Sequence, residues 1–460
     1  MKSLTDPTQA LSTGLTKIRA EFHVPDGFPA DVMAAAEAAA RRVPDQHADR
    51  TAMPFVTLDP AASTDLDQAF SIEASGSDLL LHYAITDVAW FVDDGDAVDR
   101  EAWTRGETFY LPDGKAGLYP PVIAEGAASL LPDGPRPAVI FTVRVAGDGA
   151  VKLDGAERAI IRSRAKLAYD SVQTSDVPTG FAELARRMAA NEEGRGASRV
   201  DPPEQEVERL ADGTFRLSFR PLLRSEQDNA ALSLAANMAV ADAMLAHKTG
   251  LFRVMSEPDA SQVQRLRSAA QALGLSWPAS TSLRDYQRTL DASNKQQAAL
   301  MLEIRHAGTG ASYQPYREGV VPWHEAMAAT YAHATAPLRR LADRYVVRCG
   351  LAIANGQPVP QAVTDAFERL PKVMGRADSR ASQINHAAID LAEAVMLKGR
   401  EGETFKAVVT DLVDHGVRVQ LADMPVVANL KASGLGQGDL LTLRLVLADP
   451  DQRSIVFEAV

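Results

Sequence analysis

The spacing of apolar and polar positions changes character twice along the chain. Residues 1 to 50 read as helical: "PADVMAAAEAAARRV" (29 to 43) is rich in strong helix formers, and Pro44 ends the pattern. From Met53 to about Ser171 the chain carries short strand-like runs, "FVTLD", "LLLHYAITDVAWFV" and "AVIFTVRV", with Gly, Pro and Asp turns between them. From Asn229 long helical stretches follow, beginning with "NAALSLAANMAVADAMLAHKTG", where Gly250 is the expected C-terminal cap. The polar, Gly- and Pro-broken stretch 187 to 213 reads as a surface excursion. In the last 60 residues, "TFKAVVTDLV", "GVRVQL", "PVVANL", "DLLTLRLVLAD" and "SIVFEAV" predict five strands, enough for a small barrel of the OB type. The expected fold is mixed α+β: a short helical segment over 1–50, a large domain over 51–400 and a five-stranded OB-fold barrel over 401–460.

Composition narrows the function classes. The net charge of −12, from 48 Lys and Arg against 60 Asp and Glu, argues against a protein that coats nucleic acid with its whole surface. A local basic channel stays open, because Arg339, Arg340, Arg344, Arg348, Arg376 and Arg380 cluster. Arg340, Arg344 and Arg348 share one helix face, and the spacing favours an ordinary solvated stripe. A single cysteine, Cys349, excludes an internal disulfide and argues against a cysteine-based zinc site, and no disulfide-linked partner is expected. The start lacks a secretory pattern and no apolar run reaches roughly 18 residues, so a cytoplasmic protein without a membrane partner is expected.

The densest candidate chemistry is "TLDPAASTDLDQAF" (57 to 70). Asp59 ends one strand, and Asp65 and Asp67 lie on the return into the next. In extended chain Asp65 and Asp67 point to one side and Leu66 to the other. Carboxylates that close together call for a hard cation on oxygen ligands, Mg²⁺ or Mn²⁺. Turn and cap roles with separate solvent exposure are the competing reading of the same residues.

Four ordered blocks decide between them. "DPAASTDLDQAF" resembles the D-x5-D-x-D-D signature of the ribonuclease II (RNB) family of 3′-to-5′ exoribonucleases. "HYAITDVAWFVDDGDAVDREAWTRGETFYLPDG", "AIIRSRAKLAYDSV" and "YAHATAPLRRLADRYVVR" are similar to the family's later blocks. The resemblance runs from residue 53 to about 400, and the terminal barrel stands where the family carries an RNA-binding OB-fold.

The resemblance implies a processive 3′-to-5′ hydrolytic exoribonuclease that degrades single-stranded RNA to nucleoside 5′-monophosphates with Mg²⁺, Mn²⁺ being a possible substitute. Asp59, Asp65 and Asp67 would hold metal, with Asp67 also orienting water. Arg339 would clamp the scissile phosphate, Arg340 would contact RNA beside it, and Tyr110 would stack on a base near the 3′ end. Single-stranded RNA 3′ ends are the expected partner and a monomer the expected state. No chemistry is assigned to His333, and Asn237 is expected to fix neighbouring backbone.

Three departures stand out. Gln68 replaces the fourth aspartate, Leu341 replaces a tyrosine after the arginines, and Ala388, with Asp390 nearby, stands where the family has a helical glutamate. Gln68 could give a carbonyl oxygen to metal or hold a metal-bound water. The family's two N-terminal cold-shock barrels do not fit in about 50 residues, so the N-terminal helices are possible replacement contacts for RNA. The alternatives are a catalytically weakened RNA-binding protein of the same fold, which Gln68 would favour, and a metal-dependent deoxyribonuclease.

Overall fold

The computed structural model describes residues 9–197, 204–210, 213–220, 222–291, 294–307, 310–413, 416–432, 434–436 and 438–460. Its centre is a five-stranded sheet in the order Ala48–Asp49, Val151–Ile161, Arg136–Val145, Asp78–Thr86, Gln68–Ser75. Neighbours are antiparallel except at the two-residue edge. Successive side chains alternate between the faces, and both faces are buried. Phe70, Tyr83, Leu81 and Phe141 join the main core, whereas Ala69, Ala84, Ala138 and Ile140 pack with Phe55 and Leu66 behind the sheet.

The main-core face is covered by the helices Arg224–Ala246 and Leu341–Ala354. The second comes close: a Cβ at Gly350 would lie 3.1 Å from the Phe141 ring. Among the described helices Arg224–Ala246 alone is long and apolar enough to cross a membrane, in contrast to the sequence expectation, but it lies largely buried on the sheet as a core helix does. It starts before Asn229 and ends at Ala246, so Gly250 is not its cap. Instead Gly250 (φ 124°) opens the strand Leu251–Val254, where a Cβ would meet the Met244 sulfur at 2.7 Å.

Other expectations are revised by packing. The run "LLLHYAITDVAWFV" is a strand only to Thr86 and then turns into the short helix Val88–Phe91. The supposed surface excursion is partly the end of the helix Phe181–Arg195, which buries Met188, and partly the hairpin Glu204–Arg209/Phe215–Arg220. Its residues 198–203 and 211–212 lie outside the described ones. The N-terminal helices serve two cores: Ala30–Ala40 joins the main one, and Ala10–Glu21 packs Leu11, Leu15 and Ile18 against Ile384, Ala388 and Leu391.

The arginine stripe is not solvated. Arg340 pairs with Asp343, Arg344 (1% exposed) with Asp99, and Arg348 with Asp94. Two of these acids, Asp94 and Asp99, come from a segment far earlier in the chain that meets the helix Leu341–Ala354 at Arg348 and Arg344. A buried arginine of this kind persists only with such a partner.

The helix Gln361–Leu397 leads into the C-terminal barrel, with strand order Val427–Leu430, Gly416–Leu421, Thr404–Val413, Leu440–Asp449, Ser454–Ala459. All five follow the predicted segments. Phe405 and Phe457 meet edge to face at 5.9 Å inside this barrel, so neither is free to stack on a base. At the junction, Glu393 Oε1 accepts hydrogen bonds from Val427 N and Gln205 Nε2.

Burial pushes the Glu393 carboxyl up to about 7. Its ordinary value is about 4.3, so between those limits the folded chain binds the extra proton and stability falls as pH rises. Glu393→Gln is expected to flatten that decline. Thermal unfolding of both proteins across the window checks this, and parallel pH profiles would refute it.

Candidate active site

The acidic loop is held by its backbone. Thr57–Asp59 runs parallel to Lys166–Ala168, and Lys166 Nζ donates to the carbonyls of Ala61 (2.8 Å) and Ser63 (2.6 Å). Ser129 Oγ donates to Thr64 O and accepts from Leu66 N, while Thr86 N donates to Asp67 O. Leu66 is fully buried behind the sheet, as the alternation of Asp65, Leu66 and Asp67 predicts.

The three carboxylates meet different partners. Asp67 Oδ1 accepts from Leu338 N at 2.7 Å, and its Oδ2 lies 3.4 Å from Arg339 Nε. Asp65 Oδ1 lies 2.8 Å from Lys115 Nζ. Asp59 Oδ2 is buried and has no hydrogen-bond partner. Burial pushes the carboxyls of both Asp59 and Asp67 up to about 7; the Arg339 guanidinium opposes the rise and the Asp65 charge adds to it. Asp65 and Arg339 are thus near both. Even so, among the described residues no group of three or more His, Cys, Asp or Glu side chains is gathered closely enough to hold an ion together.

Gln68 turns inward. Its Oε1 accepts from Tyr83 OH at 2.8 Å with Ser233 Oγ at 3.4 Å, and the residue is 7% exposed. The carbonyl oxygen that could have served a metal is engaged by hydroxyls of the core.

Arg339 and Arg340 precede the helix instead of lying in its first turn. Arg340 is extended at the helix N-terminus, and this stretch bridges to Glu107 and Thr108. Asp343 fixes the geometry by accepting from Ala336 N and binding the Arg340 fork at 2.9 and 2.7 Å. Arg340 therefore has two of its donors committed to protein, whereas the Arg339 side chain is 44% exposed. At Gly106 (φ 79°) the chain turns tightly; a Cβ there would lie 2.8 Å from Ala377 Cβ.

That turn leads to the hairpin Phe109–Leu111/Gly114–Ala116, in which Phe109 is buried and Tyr110 is 56% exposed. Tyr110 stands at the rim of a cleft of ≈1500 Å³ whose other walls include Glu192, Gln205, Arg220, Arg288 and Asn385. The cleft is not the basic channel left open by the sequence. Its arginines are spent on protein oxygens: Arg220 on Glu206 and Glu226, Arg224 on Asp228, Arg288 on the Glu193 carbonyl. Asp59, Asp65 and Asp67 lie beyond its lining. Ala388 and Asn385 line it from the long helix while Asp390 does not, so that helix presents no carboxylate there.

Asn237 behaves as expected, accepting from Ala334 N and donating to Tyr331 OH. His333 is tied to Tyr313 OH at 2.9 Å. Sequence reasoning missed Lys115, Lys166 and Glu125. A signal for Lys115 was present, since "YLPDGK" is a tight-turn sequence that sets Lys115 opposite Tyr110.

Comparison with known proteins brings these elements into one frame. The RNB domain matches residues 48–353, and the RNase II-type exonuclease C-terminal S1 domain matches 403–460. Ribonuclease R of Aquifex aeolicus is 26% identical over 448 residues, covering 90% of this chain and 62% of the relative. Ribonuclease R of Escherichia coli is 25% identical over 412 residues, covering 81% and 49%. The chain thus spans about half to three-fifths of the length of these relatives. A structure of Mycoplasma genitalium RNase R in complex with ribose methylated single-stranded RNA shares the fold, with a TM-score of 0.86 at 18% identity over 100% of this chain and 79% of the other.

Proposed function

The chain belongs to the RNB family, and on that premise we propose that it is a metal-dependent 3′-to-5′ exoribonuclease acting on single-stranded RNA. The observation that carries the reading is the apposition of Asp67 and Arg339 beside an unpartnered buried oxygen of Asp59. A phosphate on the exposed guanidinium would lie next to carboxyls poised near neutrality.

The donors fit a hard divalent cation. They are all oxygens, Asp59 Oδ2 lacks any hydrogen-bond partner, and burial raises the Asp59 carboxyl more than the Arg339 and Lys166 charges lower it. Asp59 would hold Mg²⁺ or Mn²⁺, with Asp65 and Asp67 the further candidates. Such an ion supplies charge stabilisation to the phosphoryl oxygens and acidifies water.

The chain's own residues do the remainder. Arg339 anchors the scissile phosphate with its planar fork. Asp67 orients the attacking water and takes its proton at Oδ2, which a carboxyl near 7 can do at neutral pH. Water adds to phosphorus and the 3′ oxygen of the preceding nucleotide leaves, giving a nucleoside 5′-monophosphate and a shortened RNA with a new 3′ hydroxyl. Tyr110 stacks on a base near that end, and repeated stacking without release would make degradation processive.

Tyr110→Ala is expected to weaken single-stranded RNA binding by about 1–3 kcal/mol, with little dependence on sequence. Equilibrium binding of homopolymeric oligonucleotides checks this; unchanged affinity for all of them would remove Tyr110 from the interface. The proposed activity is tested with 3′- and 5′-labelled RNA and DNA, with Mg²⁺, Mn²⁺ or EDTA. Metal-dependent shortening of RNA from the 3′ end is expected. Binding without shortening would favour the weakened RNA-binding protein, a reading that the engaged Gln68 oxygen supports.

A further inference from the structure

The hairpin that carries Tyr110 also carries Lys115, directly across from it in register. Lys115 Nζ lies 2.8 Å from Asp65 Oδ1, 3.1 Å from Glu125 Oε1 and 3.4 Å from Thr64 Oγ1. Those oxygens come from two other segments, and the Lys115 and Asp65 side chains are only 25% and 13% exposed. Glu125 is delivered by a single π-helical turn, Val122–Ala127, a local distortion often associated with functional sites. Ser129, just beyond that turn, ties both Thr64 and Leu66, so the ammonium sits in a braced pocket of oxygens.

The acids of the loop are therefore unequal. Asp65 already has a cation of the chain's own, while Asp59 Oδ2 has no partner. Asp59, Asp65, Asp67 and Glu125 stand against Lys115, Lys166 and Arg339. One divalent ion together with one phosphate monoanion brings that set to neutrality, and a second ion would leave it two charges positive. In a partly buried site such an excess is costly.

We infer that Lys115 is the resident counter-cation of Asp65, occupying the place of a second divalent ion, so that the acidic loop binds one divalent ion, at Asp59, rather than two. This rests on the metal-dependent reading above. Lys115 is then a positioning residue: it holds Asp65 while leaving the ion at Asp59 to meet the substrate.

The test counts Mn²⁺ bound to the full chain without RNA, by calorimetric titration and by electron paramagnetic resonance of the unbound ion. One ion is expected for the unaltered protein and for Lys115→Arg, none for Asp59→Asn, and for Lys115→Met one ion bound more tightly, because the set less that one positive charge is neutral with a single ion. Lys115→Gln provides the same neutralisation if Lys115→Met does not fold, with circular dichroism as the check. Two ions in the unaltered protein, or one ion at unchanged affinity in the folded neutral variant, would overturn the inference alone. RNA shortening in EDTA with no Mn²⁺ bound would instead overturn the metal-dependent reading and the inference with it.

Discussion

Asp67→Asn is expected to slow RNA shortening by about 10²–10⁴-fold, the range for removing a positioned proton acceptor, while RNA affinity is kept or rises. The substitution is nearly isosteric. Its amide oxygen can still accept from Leu338 N, which anchors the segment before Arg339, so the local backbone has no reason to move. What disappears is a buried charge whose carboxyl is pushed up to about 7. Losing a negative charge close to the proposed phosphate position favours binding. Single-turnover shortening of 5′-labelled RNA and equilibrium binding in EDTA separate the two effects. Unchanged turnover, or a loss of turnover matched by an equal loss of affinity, would remove Asp67 from the chemistry.

Much of this site could be read before its geometry was known, because it depends on local rules. Two-residue alternation placed Asp65 and Asp67 on one side and sent Leu66 into the core, and five turn-bounded runs placed the terminal strands. Long-range pairing was not legible. Arg340, Arg344 and Arg348 look like a solvated stripe until Asp94 and Asp99, some 250 positions earlier, are found against two of them. Gln68 invited a role at the metal through its neighbours in sequence. Its carbonyl oxygen is claimed by Tyr83 and Ser233, one from the adjacent strand and one from a helix that follows much later. Asn385 and Ala388 are the residues the long helix brings to the cleft wall, and neither carries the carboxylate that the resemblance implies in that region.

The second large effect is expected at Arg339. Arg339→Ala should reduce turnover by about 10²–10³-fold, the cost of deleting one preorganised group that faces developing charge. Two roles can be separated at this position, because the guanidinium faces solvent on one side and Asp67 on the other. If it served only to offset the acids, Arg339→Lys would restore the rate, since a point charge suffices for that. If it grips a phosphate through two donors, lysine restores little. Metal binding provides an independent readout: Arg339 opposes the raised carboxyls of Asp59 and Asp67, so its removal takes a positive charge from beside the acids. Mn²⁺ should then bind more tightly to Arg339→Ala at pH values where the carboxyls are ionised, even as turnover falls. Opposite movement of metal affinity and rate identifies a phosphate anchor, whereas parallel loss of both would show that Arg339 chiefly supports the loop's structure.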